Sequence, residues 1–338
     1  MKKMMAVYDA DTRYAERLSD YVNRKEKGVF TAQAFTSKEK LAEYAKKHEI
    51  DVLLSGERTD SGDISGIPSV QKIYMSEETE KQMDSGKEIY KFQSGDDIIR
   101  EVMAVYSEIP GIRANVAGST DQSRRIIGVY SPIGRCGKTC LALAIGQVLA
   151  KEEKVLFVTL DTFTGLTGLL NERWKRDLSD LIYYYKQDRF HVVRLNSIVY
   201  YLGDMAWIPP IRIPQDYAQL SVQEMADLME RILRDGNYTT MILNVGDYGR
   251  DALPLLEKCQ VVYTPIREDP FSAEKMREFE EYLSASGNSG VAEKIQKIHV
   301  PMVTGGRRME HFPQELLWGD MGDFVRSLVK GQRNLWDS

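Results

Sequence analysis

The sequence predicts an α/β protein of two doubly wound domains, and three observations support this. Short apolar runs alternate with amphipathic stretches along the whole chain, the order that builds parallel sheets covered by helices. A polar, small-residue stretch that opens at Pro110-Gly111 and ends NVAGSTDQS splits this alternation in two, as a linker would. Within the second half, IIGVYSPIGRCGKTCLALAIGQVLA (Ile126–Ala150) sets a β-branched run, a glycine-bearing loop and a helix-period run in direct succession.

The first domain is expected over 1–109, the linker over 110–123 and the second domain over 124–338. Met4–Tyr8 reads as a strand, Thr12–Arg24 as a helix, Phe30–Phe35 as a strand and Ser37–His48 as a helix. Ile50–Leu54, Val70–Met75 and Ile89–Phe92 read as strands, and Asp96–Ser107 as a closing helix. Beyond the linker, Val155–Leu160 reads as a strand ending at Asp161, and Leu178–Lys186 and Val222–Leu233 as helices with a short strand, Met205–Ile208, between them. Met241–Val245 and Val261–Thr264 are expected strands, Ala273–Ser284 a charged helix, Ile298–Val303 a last strand, and Gly322–Leu328 part of a C-terminal helix.

With 338 residues, 43% of them hydrophobic, the chain is long enough to bury a full core. The net charge of -5 gives no global attraction to nucleic acid. Neither half compensates: residues 1–110 hold 17 basic and 21 acidic side chains, the remainder 28 and 29. Cys136, Cys140 and Cys259 lack metal-ligand spacing and point to a reduced cytoplasmic setting. No signal peptide is expected at the start, and the apolar run Cys140–Ala150 is too short to span a bilayer, so no transmembrane segment is expected.

The loop after Val129 holds Gly134, Gly137, Lys138 and Thr139. Strand, Gly-Lys-Thr loop and helix, in that order, form the context in which backbone N–H groups turn inward to cradle phosphates. Lys138 would reach the terminal phosphates and the Thr139 hydroxyl would sit on Mg²⁺, so ATP and Mg²⁺ are the expected ligands. The strict motif has glycine five residues before Gly137, where this chain has Pro132. A tight strand-to-helix turn with no ligand is the competing reading.

SPIGRCGKTC resembles the phosphate loop of the MinD/ParA family, Lys-Gly-Gly-x-Gly-Lys-Thr. Gly134, Cys136, Gly137, Lys138 and Thr139 fall into register, Arg135 replaces the second glycine and Ile133 stands at the position of the family's lysine. The opening Ser131-Pro132 is similar to the TadZ/CpaE-like branch associated with pilus assembly. The resemblance covers roughly 124–305. It implies a nucleotide site of Gly134, Arg135, Cys136, Gly137, Lys138, Thr139 and Cys140, with Thr139 toward the metal, and with Lys138 and Asp161 in catalytic roles. It implies that Thr264 and Pro265, in VVYTPIRED, stand beside the base. At the position where the family holds Mg²⁺ through an aspartate, MILNVGDYG offers Asn244, with Asp247 three residues on. A neutral amide brings no charge to the ion, so slow or absent hydrolysis is expected, and Asn244→Asp is expected to raise turnover with little disturbance of packing. Arg135 is either a substitute for the missing lysine or a solvated loop arginine.

The first 110 residues resemble the receiver domain of response regulators. Asp9 in YDAD supplies one acid where receivers hold two, with Ala10 in the second place, and Lys91 matches the lysine near the end of the fifth strand. The acceptor position falls on Ser55 or Gly56, neither of which is an aspartate. A module for docking or localisation is expected in place of a phosphorylated one.

Tyr183–Tyr185 and Tyr200-Tyr201 suit either a partner surface or ordinary packing. His48, His191, His299 and His311 offer neither metal nor triad spacing, and the closing FVRSLVKGQRNLWDS reads as a docked helix rather than a membrane anchor. The resemblance as a whole implies an ATP-binding, weakly hydrolysing homodimer that positions pilus or secretion machinery, cytoplasmic and held at the cell pole or inner membrane face through partners. Two alternatives stand beside it: a ParA-like partition ATPase acting with DNA, and a nucleotide-free scaffold.

Overall fold

A computed structural model describes residues 2–25, 28–57, 62–77, 88–109, 123–170, 174–246, 252–302 and 312–336. The chain divides into two compact units, Met1–Ala114 and Asn115–Ser338. Residues 110–122 of the linker expected at 110–123, and Asp247 and His311, lie outside the described residues.

The first unit holds strands β1 (Lys3–Tyr8), β2 (Phe30–Phe35), β3 (Val52–Ser55), β4 (Gln71–Ser76) and β5 (Glu88–Tyr90) in one parallel sheet of order β2-β1-β3-β4-β5. This is a doubly wound order, with its switch point between β1 and β3. Helix Thr12–Arg24 follows β1 at the expected bounds because the Asp11 carboxylate caps it, accepting from the Arg13 and Tyr14 N–H groups. The second helix is shorter than expected, Lys38–Ala45, and is capped by Ser37.

The second unit continues with β6 (Arg125–Val129), β7 (Val155–Thr159), β8 (Tyr200–Leu202), β9 (Met205–Trp207), β10 (Thr240–Asn244), β11 (Val261–Ile266) and β12 (Ile295–His299). They form one sheet of order β12-β11-β6-β10-β7-β9-β8. Two expectations are corrected here. The last strand is Ile295–His299 rather than Ile298–Val303, because it pairs with Val262–Ile266 of β11 as an edge strand and takes polar residues on its open side. The sheet is also not wholly parallel: β8 folds back antiparallel on β9, with Leu202 opposite Met205.

Alternation along the strands sorts the core. Ile126, Leu156, Val158, Met241 and Leu243 face a layer that includes helices Leu178–Lys186, Val222–Asp235 and Pro270–Ala285. Ile127, Val129, Phe157, Ile242 and Tyr263 face helices Lys138–Leu149 and Asp320–Trp336. Strands buried on both faces read as continuous apolar runs, as β7 and β10 do. No helix of the described residues is long and apolar enough to cross a membrane. The C-terminal helix, expected to include Gly322–Leu328, spans Asp320–Trp336 and packs on the helix that begins at Lys138.

Candidate functional site

In the first unit, the position where a receiver would carry its acceptor is closed. Ser55 is fully buried, and its hydroxyl donates to the Glu57 carbonyl at 2.7 Å. A Cβ on Gly56 would lie 2.4 Å from Asp9 Oδ2, so a side chain there would have to displace the Asp9 carboxylate. Asp9 is buried and paired with Lys91 at 2.9 Å, and its other oxygen accepts the Asp11 N–H at 2.8 Å. Lys91 also reaches Glu77 at 3.2 Å. Burial works against the Lys91 ammonium, but Asp9 and Glu77 outweigh it and leave it raised above the ordinary lysine value. The lysine thus supplies the positive charge that balances Asp9. Mass spectrometry after acetyl phosphate treatment is expected to find no acid-labile phosphate within residues 1–110; a stable modification on Asp9 or Asp51 would contradict this.

The second site lies beyond the carboxyl ends of β6, β7, β10 and β11, where ligands of open α/β sheets bind. The chain leaves β6 at Tyr130, and the Ser131 hydroxyl anchors the turn, donating to the Pro265 carbonyl at 2.8 Å and accepting the Ile133 N–H at 3.2 Å. Ile133 is 3% exposed and packed in the core. The position where the resemblance puts a lysine is therefore an apolar anchor that cannot extend to another subunit. Cys136 is likewise buried, its thiol donating to the Ile133 carbonyl at 3.2 Å. Between and beyond these anchors the loop turns left-handed twice, at Arg135 (φ 55°) and Gly137 (φ 88°). The Gly134-Arg135 turn brings the Cys136 N–H back toward the Ile133 carbonyl, and the N–H groups of Gly134, Arg135 and Gly137 donate to no acceptor among the described residues. These unused N–H groups, at the head of the 12-residue helix Lys138–Leu149, form a nest for an anion. Lys138 lies over the loop, donating to the Ser131 and Ile133 carbonyls at 3.2 and 3.1 Å.

Beside the loop, Thr139 Oγ1 donates to Asp161 Oδ2 at 3.1 Å. Asn244 is fully buried at the end of β10, and its Nδ2 donates to the same Asp161 oxygen at 2.8 Å and to Thr159 Oγ1 at 3.0 Å. A carboxylate only accepts, so the amide must turn its N–H₂ toward Asp161. Among the described residues Asn244 Oδ1 is left buried without a hydrogen-bond partner, which is costly unless something else donates to it. Gly246 (φ 57°) closes the far side: a Cβ there would stand 1.7 Å from Asp161 Oδ1. The sequence analysis missed this glycine, although a glycine two residues past a buried strand end marks a close approach.

Pro265 is buried within β11 opposite Ile298, and its carbonyl accepts the Ser131 hydroxyl of the loop. Thr264 is buried beside it. Cys140 is half-buried on the helix, and burial pushes its thiol above the ordinary value against the pull of its own backbone hydrogen bond, so it is no ready nucleophile. Arg135 is exposed. No cluster of three or more His, Cys, Asp or Glu able to hold a metal occurs among the described residues.

No family model and no curated protein sequence matches the chain. Among solved structures it is similar to a ParA family ATPase from Chlorobium tepidum, at 17% identity and a TM-score of 0.44 over 57% of this chain and 81% of that one. It is also similar to a putative plasmid partition protein from Borrelia burgdorferi bound to AMPPNP, at 15% identity and a TM-score of 0.41 over 59% and 85% of the two chains. A third likeness is to a cobyrinic acid a,c-diamide synthase from Mycobacterium smegmatis with bound ATP analog and magnesium, at 15% identity and a TM-score of 0.39 over 59% and 82%.

Proposed function

We propose that the chain binds ATP with Mg²⁺ at Gly134–Thr139 and works as a slowly hydrolysing, ParA/MinD-like nucleotide switch. The observation that carries this is the nest: the N–H groups of Gly134, Arg135 and Gly137, without acceptors among the described residues, held by two left-handed turns ahead of a helix, with the Lys138 ammonium across them. The residues also suit a metal, since the Thr139 hydroxyl and the Asp161 carboxylate meet at 3.1 Å and the Asn244 amide, which lies against the same carboxylate, offers a neutral oxygen if it turns over. Mg²⁺ favours oxygen ligands and keeps several waters, so one carboxylate with neutral oxygens around it suffices for binding. When bound, it would supply charge for the phosphate oxygens.

The chain's own groups then divide the work. Lys138 leaves its two carbonyl acceptors for phosphate oxygens, a stronger, charge-assisted pairing. Asp161, held by Thr139 and Asn244 and backed by Gly246, is positioned rather than mobile, which suits it to orienting a water. With the neutral Asn244 at the end of β10, the site carries one carboxylate where two would speed turnover. That favours long-lived binding and a homodimeric localisation role, with pilus or secretion machinery as the cargo. The net charge of -5 disfavours DNA as the matrix.

Lys138→Ala tests the reading. Affinity for ATP–Mg²⁺ in a calorimetric titration of the full chain is expected to fall at least about thirtyfold, the worth of a charge-assisted pair of roughly 2 kcal/mol. Superimposable curves for the two proteins would refute it.

A further inference from the structure

The end of β11 and the segment that follows it touch the loop at its two ends. Ser131 Oγ donates to the Pro265 carbonyl where the loop leaves β6, and the Arg267 guanidinium donates to the Arg135 carbonyl at 3.0 Å at the tip. The second contact falls on a strained residue, because Arg135 holds φ 55° without being glycine, a conformation disfavoured for any side chain with a Cβ. A trans peptide is planar, so fixing the Arg135 carbonyl fixes the Cys136 N–H on the opposite side. That N–H turns back toward the Ile133 carbonyl and so closes the turn whose other N–H groups, on Gly134 and Arg135, have no acceptor among the described residues. Arg267 is exposed and fills no core position.

We propose that Arg267 is a positioning residue for anion binding. By holding the Arg135 carbonyl it keeps the Arg135–Cys136 peptide in the left-handed turn that presents the loop's N–H groups, and it ties the loop's affinity to the segment after β11. This rests on the nucleotide reading above. It differs from a direct role, in which the guanidinium itself would meet phosphate, because the effect must pass through the conformation of residue 135.

A double-mutant cycle on the full chain separates the two, with ADP and inorganic tripolyphosphate as calorimetric probes. Arg267→Ala is expected to weaken both probes by about fivefold, with an unchanged thermal midpoint. Arg267→Lys, which keeps a donor, recovers part of the loss. In an Arg135→Gly background the left-handed turn costs little, so Arg267→Ala is expected to cost less than about twofold there. Equal losses in both backgrounds would show direct contact and overturn the proposal, as would native affinity in Arg267→Ala. If the unaltered chain binds neither probe, the nucleotide reading fails and takes this proposal with it.

Discussion

Replacing Asn244 by aspartate lowers the stability of the nucleotide-free second unit by about 3 kcal/mol at neutral pH. The amide is a buried donor to Asp161 at 2.8 Å, so the exchange removes that hydrogen bond and sets two carboxylates against each other. Like charges this close cannot both ionise cheaply, and the new acid's folded pKa rises. A raised folded pKa leaves stability intact below the unfolded value near 4 and loses it as pH climbs. The deficit relative to the unaltered chain should therefore shrink toward about pH 4. All four tryptophans lie between 174 and 336, so their fluorescence during urea unfolding reads this unit. Saturating ATP–Mg²⁺ should return most of the loss, and under those conditions turnover rises about tenfold, or roughly 1.4 kcal/mol of barrier. An unchanged urea midpoint without nucleotide would mean that Asn244 is not the donor that its geometry makes it.

Lys91→Met has a comparable effect on the first unit. Lys91 and Asp9 are 9% and 4% exposed, and losing one partner of a buried pair costs about 3–5 kcal/mol because the other charge stays behind. Among the described residues only the 2.8 Å contact from the Asp11 N–H would still answer the Asp9 carboxylate. The native contribution of Lys91, raised above its ordinary value, is present at neutral pH and lost only as pH rises past that raised value. Tryptophan fluorescence is silent for this unit, so amide exchange in β1 (Lys3–Tyr8) is the measurement, and it should accelerate roughly hundredfold or more. The double change Asp9→Asn with Lys91→Met should restore much of the protection, because neither charge then stays buried alone. Unaltered exchange in Lys91→Met would show that the pair is not structural.

Thr12–Arg24 and Leu178–Lys186 could be read to the residue because Asp11 and Asp177 announce their starts. The phosphate loop was legible for a similar reason, since its chemistry depends on backbone turns that glycines advertise. What stayed hidden depends on contacts distant in sequence. Ile133 reads as a lost lysine in the motif, yet it is a core residue of the second unit. Asn244 reads as a lost acid, yet it is the donor that holds Asp161, and only the fold brings residues 83 positions apart to 2.8 Å. The edge strand β12 misled because its apolar residues continue into Val300 and beyond, whereas pairing with β11 selects Ile295–His299. The β8–β9 turn did carry a signal that was missed: Gly203-Asp204 between YYL and MAW is hairpin punctuation.

That turn-back also limits how copies of the chain can meet. An exposed sheet edge is a template on which another chain can add strand after strand, the route to fibres. Here one border of the seven-stranded sheet ends in β8, three residues long and running against its neighbour. A newcomer at that border would gain a ladder of at most those three residues, too short to propagate a filament. Association of whole molecules at high local concentration is thereby protected on this side from runaway growth.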